Sequence, residues 1–257
     1  MISVRDVLVQ VGGRVILDIP LLEFEEGKRY GLIGENGSGK TTLLRVLAGT
    51  LLPTQGQVTR QNPNNFGYMP QAPYAFSFSV LRNVEMALEN TPERRDNAVR
   101  ALEAVGMRNF LAARGNKLSG GEAQRMAVAR MIARPRKLLL LDEPTSSTDI
   151  RGTDSIENTL LDYARNSGCT LIFSTHSPAQ ALRLAQEVIF LHQGKILEKG
   201  PALEVLENPQ PKARVCSCSI GASNPLPPCR NPDIPAGPGQ YIMKRRSKVF
   251  ARRIGQD

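Results

Sequence analysis

Between a short apolar stretch, Arg29 to Ile33, and a leucine-spaced one, Thr41 to Ala48, runs Gly34-Glu35-Asn36-Gly37-Ser38-Gly39-Lys40-Thr41. The run satisfies G-x-x-x-x-G-K-[ST]. Its flanks read as a strand before and a helix after, the helix marked by Leu43, Leu44 and Leu47. Glycines let the backbone curl until several N–H groups point at one anion. The helix start adds its positive dipole end. Lys40 is placed to reach the β- and γ-phosphates of a nucleotide, and the Thr41 hydroxyl to ligate Mg²⁺. Gly34, Asn36, Gly37, Ser38, Gly39 and Thr42 complete the expected cradle.

Leu138 to Leu141 is a continuous apolar run, as expected of a strand buried on both faces of a parallel sheet. It ends in Asp142-Glu143-Pro144. Ligands of open α/β sheets bind at the carboxyl ends of strands, which puts both acids at the nucleotide. Asp142 is placed to hold Mg²⁺, and Glu143 to orient or deprotonate an attacking water. Far from the phosphate loop lies a second glycine run at a helix start, Leu118-Ser119-Gly120-Gly121-Glu122-Ala123-Gln124-Arg125. Thr170 to Ser174 reads as another sheet strand. His176 follows it, just before Ser177-Pro178, a helix-start pair, so His176 is expected at the same sheet edge as Glu143. Val188 to Leu197 reads as a hairpin turning at Gln193-Gly194.

This combination resembles the nucleotide-binding domains of ABC ATPases, from about Met1 to about Asn208. The resemblance implies an α/β P-loop fold: a mainly parallel sheet, an antiparallel N-terminal β-subdomain and an inserted helical subdomain. It implies further roles. Gln71, in Tyr68-Met69-Pro70-Gln71, is similar to the glutamine that touches Mg²⁺ and the attacking water and couples to the membrane partner. Ser119, Gly120 and Gly121 resemble the signature that closes over the γ-phosphate of the opposite subunit's ATP. Asp149 resembles the dimer-contact aspartate, and His176 the switch histidine on the γ-phosphate. Two departures stand out. Val11 falls about where the family carries an aromatic residue that stacks on adenine, and Thr148 where a small apolar residue is common.

The organisation agrees with this reading. Met1 to Phe24 alternates apolar and polar residues in two stretches, as half-buried antiparallel strands do. From Ala72 to Arg134 strand character is lost. Thr91-Pro92-Glu93 reads as a helix start, and Ala98, Leu102 and Val105 repeat at helical spacing. The expected division is an ATPase domain over 1–208, with its helical subdomain at about 72–134, and a tail over 209–257.

That tail is Pro-rich and then basic. Nine Lys and Arg against two Asp give it +7 of the chain's +9, so the high charge is not a nucleic-acid stripe on the fold. Its composition is that of a disordered extension, and an altered reading frame would explain its abrupt onset. Three of the four cysteines, Cys216, Cys218 and Cys229, lie there without the fourth nearby ligand that a zinc site needs. No stretch approaches the roughly 20 apolar residues that span a bilayer, and the N-terminus lacks a charged-then-apolar signal.

The resemblance therefore implies an ATPase using ATP and Mg²⁺, cytoplasmic and peripheral on the inner face of the cell membrane. Two copies, or a pair of ABC ATPases, would dock on integral membrane permease subunits served by an extracellular solute-binding protein. No nucleic acid is expected as a partner. The implied role is import of a small polar solute: an oxyanion such as tungstate, or a polar amino acid. The alternative is a soluble ABC ATPase without a transport role, acting in cofactor assembly or on a macromolecule.

Overall fold

The structure is a computed structural model and describes residues 2–61 and 64–207. The elements run β1 (Ile2–Val11), β2 (Arg14–Phe24), β3 (Arg29–Ile33), α1 (Lys40–Ala48), β4 (Gln55–Arg60), β5 (Phe66–Met69), α2 (Val80–Glu85), α3 (Arg94–Ala104), α4 (Gly120–Ile132), β6 (Leu138–Asp142), α5 (Ile150–Ser167), β7 (Thr170–Ser174), α6 (Pro178–Leu184), β8 (Glu187–His192), β9 (Lys195–Pro201) and α7 (Ala202–Glu207). Residues 209–257, and every expectation for the tail, lie outside the described residues.

The larger sheet has the order β5-β6-β7-β3-β8-β9. Neighbours are parallel except for the β8–β9 hairpin. Its inner strands read as unbroken apolar runs because both faces are covered. Leu139, Leu141, Leu171, Phe173 and Ile33 face the core shared with α2 to α6. Leu138, Leu140, Ile172, Leu32 and Tyr30 face the core shared with α1 and the smaller sheet. The smaller sheet, order β2-β1-β4, is antiparallel. Along β1 the apolar alternation runs through Ile2 and Val4, then restarts at Val7 and Val9. Asp6, with φ of 50°, sits at the break. The two alternating stretches read between Met1 and Phe24 are β1 and β2, paired antiparallel, and the break at Asp6 is a local irregularity within β1.

Three α-helices, α2, α3 and α4, and two short 3-10 turns lie between β5 and β6. Ala98, Leu102 and Val105 are fully buried there. The helix start read at Thr91-Pro92-Glu93 is displaced: α3 begins at Arg94, capped by Glu93 without a side-chain bond. The Thr91 carbonyl instead accepts from the Arg94 amide at 3.1 Å, closing a turn ahead of the helix.

Candidate functional site

β3, β6 and β7 are adjacent and parallel, so their carboxyl ends deliver the phosphate loop, Asp142-Glu143 and Thr175-His176 to one edge. The loop curls back onto its own strand. Gly34 has φ of 154°, and a Cβ there would stand 2.2 Å from the Leu191 carbonyl oxygen and 2.6 Å from Ser38 Oγ. Only glycine fits so close an approach. Lys40, 6% exposed, donates to the carbonyls of Gly34 at 2.7 Å and Glu35 at 2.9 Å. Burial lowers the pKa of its ammonium, while the nearby carboxylates of Glu143 and Asp142 pull it the other way. Ser38 Oγ is buried without a hydrogen-bond partner.

Asp142 is 1% exposed. Its Oδ1 accepts from Ser174 Oγ at 2.6 Å, whereas Oδ2 is buried and has no partner. Ser174 Oγ also accepts from the Glu143 amide at 2.9 Å, so one β7 hydroxyl fixes both acids. Glu143 has φ of 46°, an uncommon conformation for a non-glycine residue and one that clusters at functional sites. Its Oε2 accepts from Gln71 Nε2 at 3.1 Å and lies 3.7 Å from His176 Nδ1. One carboxylate thus meets residues delivered from two other strand ends.

A cavity of about 560 Å³ joins Asn36, Gly37, Gly39, Lys40, Thr41, Thr42, Gln71 and Glu143. Arg14 and Ile16, at the start of β2, also line it. Neither was singled out by the sequence, because a strand of a separate sheet brings them there. Val11 does not line the cavity; it is 63% exposed and pairs across the β1–β2 hairpin with Arg14.

Ser119, Gly120, Gly121 and Asp149 stand outside this cavity. Ser119 caps α4 in a capping box: its amide and hydroxyl both donate to Glu122 Oε2 at 2.8 Å, and its Oγ accepts from the Glu122 amide at 3.4 Å. Those bonds hold the Glu122 carboxyl below its usual range. Gly120 and Gly121 pack on the 146–148 loop, where a Cβ on Gly121 would lie 2.9 Å from the Ser147 carbonyl oxygen. Asp149 caps α5, accepting from the Gly152 amide at 2.8 Å. Buried Gln124 ties α4 to the same loop, donating to the Glu143 carbonyl and Ser146 Oγ at 2.9 Å each and accepting from the Ser147 amide at 2.8 Å.

Comparison with known proteins places this architecture. The family described as "ABC transporter" matches residues 17–146. The chain belongs to the ABC transporter ATPases. It is 35% identical over 207 residues to the "Tungstate uptake system ATP-binding protein TupC" of Peptoclostridium acidaminophilum, covering 77% of this chain and 97% of that one. It is 32% identical over 222 residues to the "Probable sulfate/thiosulfate import ATP-binding protein CysA" of Chlorella vulgaris, covering 81% and 94%. Among solved structures, a dimeric ATP-binding cassette in a post-hydrolysis state, bound to ADP and Pi, superimposes with a TM-score of 0.72 at 25% identity. That match covers 79% of this chain and 99% of the other. The ABC chain described here is accordingly an ATPase. Among its described residues no helix is long and apolar enough to cross a membrane.

Proposed function

We infer that this chain is the ATP-hydrolysing subunit of an importer, working as a pair of copies around two ATP molecules. The observation that carries the reading is the Glu143 carboxylate between Gln71 and His176, beside the Lys40 loop. Lys40 and the loop amides of 34–41 bind the β- and γ-phosphates. Glu143 accepts a proton from the attacking water, Gln71 orients that water, and His176 contacts the γ-phosphate. Ser119, Gly120 and Gly121 of one copy close over the nucleotide of the other, with Asp149 at the contact between copies.

Mg²⁺ fits the residues present. Asp142 Oδ2 is buried without a partner. Thr41 and Gln71 would supply the other protein oxygen ligands. When bound, Mg²⁺ neutralises charge on the phosphate oxygens.

Residues 74–78 offer a docking surface for a permease. Tyr74 and Phe78 are 70% and 52% exposed. Buried Asn83 braces the segment through the carbonyls of Phe76, Phe78 and Ser79, and Arg130 through that of Tyr74. The chain would then work in the cytoplasm on the inner face of the membrane, with an extracellular binding protein serving the permease. Relatives named for tungstate and sulfate/thiosulfate support an oxyanion as the imported solute, tungstate first. Purification from native membranes tests the whole reading. Integral membrane chains should co-purify, and the reconstituted complex should take up tungstate with ATP but not without nucleotide, and only with intact Glu143. An ATPase that brings down no membrane chain would overturn the importer role.

A further inference from the structure

One wall of the cavity lies outside the phosphate loop and the strand-end acids. Arg14 and Ile16 form it, and the Ile16 backbone lies close against the phosphate loop. A Cβ on Gly39 would meet the Ile16 carbonyl oxygen at 3.3 Å and Leu17 Cδ1 at 3.2 Å. Gly194 donates its amide to the Ser38 carbonyl at 2.9 Å and accepts from the Asp18 amide at 2.8 Å, pinning β2 and the loop together. Arg14 follows the two-residue turn Gly12-Gly13, with φ of 57° and 79°, a hairpin turn that fixes the register of β2. Its exposed side chain makes no hydrogen bond or ion pair among the described residues, and no aromatic ring lines the cavity.

Glu143 and Gln71 mark the γ-phosphate end. A triphosphate lying along the loop from there carries its base toward Arg14 and Ile16. We propose that Arg14 reads that base, so that the site takes guanine nucleotides at least as well as adenine ones. This rests on the reading that the triphosphate binds at Lys40. The guanidinium is a planar fork of donors with no acceptor. Guanine presents two adjacent acceptors, O6 and N7, and takes both prongs. Adenine presents N7 beside the N6 amino donor, so one prong meets another donor. Ile16 packs on either ring without choosing.

The test is equilibrium titration of the full chain with ATP, GTP and inorganic triphosphate. Wild type should bind GTP at least as tightly as ATP. Arg14→Ala should lower the GTP-to-ATP affinity ratio about fivefold or more, the weaker end of what a bidentate guanidinium–guanine pair discriminates. Arg14→Lys, which keeps the charge and loses the fork, should lower it too. Affinity for triphosphate should not move in either variant. Preference for ATP in the wild type, or an unchanged ratio in Arg14→Ala, overturns the proposal. Equal loss on all three ligands also overturns it, making Arg14 a phosphate contact. Lys40→Ala separates the two readings. If it loses both nucleotides while the Arg14 ratio stays fixed, base reading alone fails; if it binds both normally, the phosphate-loop reading fails.

Discussion

Gly194→Ala should destabilise the domain far more than Gly168→Ala, although both glycines have positive φ, 79° and 61°. Gly168 has open space where a Cβ would go, so it reports the conformational cost alone. That cost is about 1–2 kcal/mol for an L-residue, offset by about 0.4–1 kcal/mol because alanine restricts the unfolded chain. At Gly194 the new Cβ would stand 2.4 Å from the Ile16 carbonyl oxygen and 3.1 Å from Leu17 Cα, both backbone atoms. The hairpin has to retreat, stretching the 2.8 Å and 2.9 Å bonds to Asp18 and Ser38. Each such bond contributes about 0.5–1.5 kcal/mol, which brings the total to about 2–4 kcal/mol. On the scale of about 2–4 °C per kcal/mol for a domain of this size, Gly194→Ala should melt about 5–15 °C below wild type and Gly168→Ala only about 2–4 °C below. Thermal unfolding followed by circular dichroism reads both. Because Ser38 belongs to the phosphate loop, Gly194→Ala alone should also weaken triphosphate binding. Equal melting temperatures for the two variants would refute the close approach of the hairpin.

Lys40→Ala should lower ATP affinity about tenfold or more, since a charged contact to phosphate is lost; a direct titration measures it. Glu143→Gln should retain ATP binding yet lose about 100-fold or more in turnover, the amide being a far poorer base, and should accumulate an ATP-bound dimer on size-exclusion chromatography. Ser119→Arg and Lys40→Ala, each inactive alone, should regain partial activity when mixed, because one of the two shared sites then carries neither defect; heterodimers without any rescue would count against sharing. Gln124→Ala should lower kcat more than it raises KM in steady-state assays, because it releases the Glu143 carbonyl and leaves Lys40 untouched.

The sequence was legible where one physical constraint dominates. Leu138 to Leu141 is an unbroken apolar run because neighbours cover both faces, and the strands read at Arg29 to Ile33 and Thr170 to Ser174 span those residues. Ser177-Pro178 and Ser119 mark helix starts because capping is a local matter. Thr91-Pro92 misled because the same residues serve a turn, and the helix waits until Arg94. What could not be read is polar and buried. Asn83, Gln124, Ser174 and Gln180 are all 4% exposed or less. Gln124, Ser174 and Gln180 act through partners distant in the chain and Asn83 through an irregular loop, so no local period announces them. Arg14 is illegible for a similar reason, since its place at the cavity comes from the contact between two sheets.

Those hidden residues explain how a site gathered from separate strand ends holds its shape. Ser174 fixes Asp142 and the Glu143 amide from the β7 side. Gln124 holds the Glu143 carbonyl from the α4 side. Gln180 donates to Thr145 Oγ1 at 2.7 Å and to Glu157 at 3.1 Å, and Glu157 is gripped by Arg183 at 2.6 and 2.8 Å. The 143–149 loop is therefore bonded to α4, which starts at Ser119, and to α6, which follows His176. A buried amide with all its bonds made resists displacement, because breaking one bond strands a polar group away from water. Glu143, with its positive φ, is thus bonded from two sides, its amide by Ser174 and its carbonyl by Gln124.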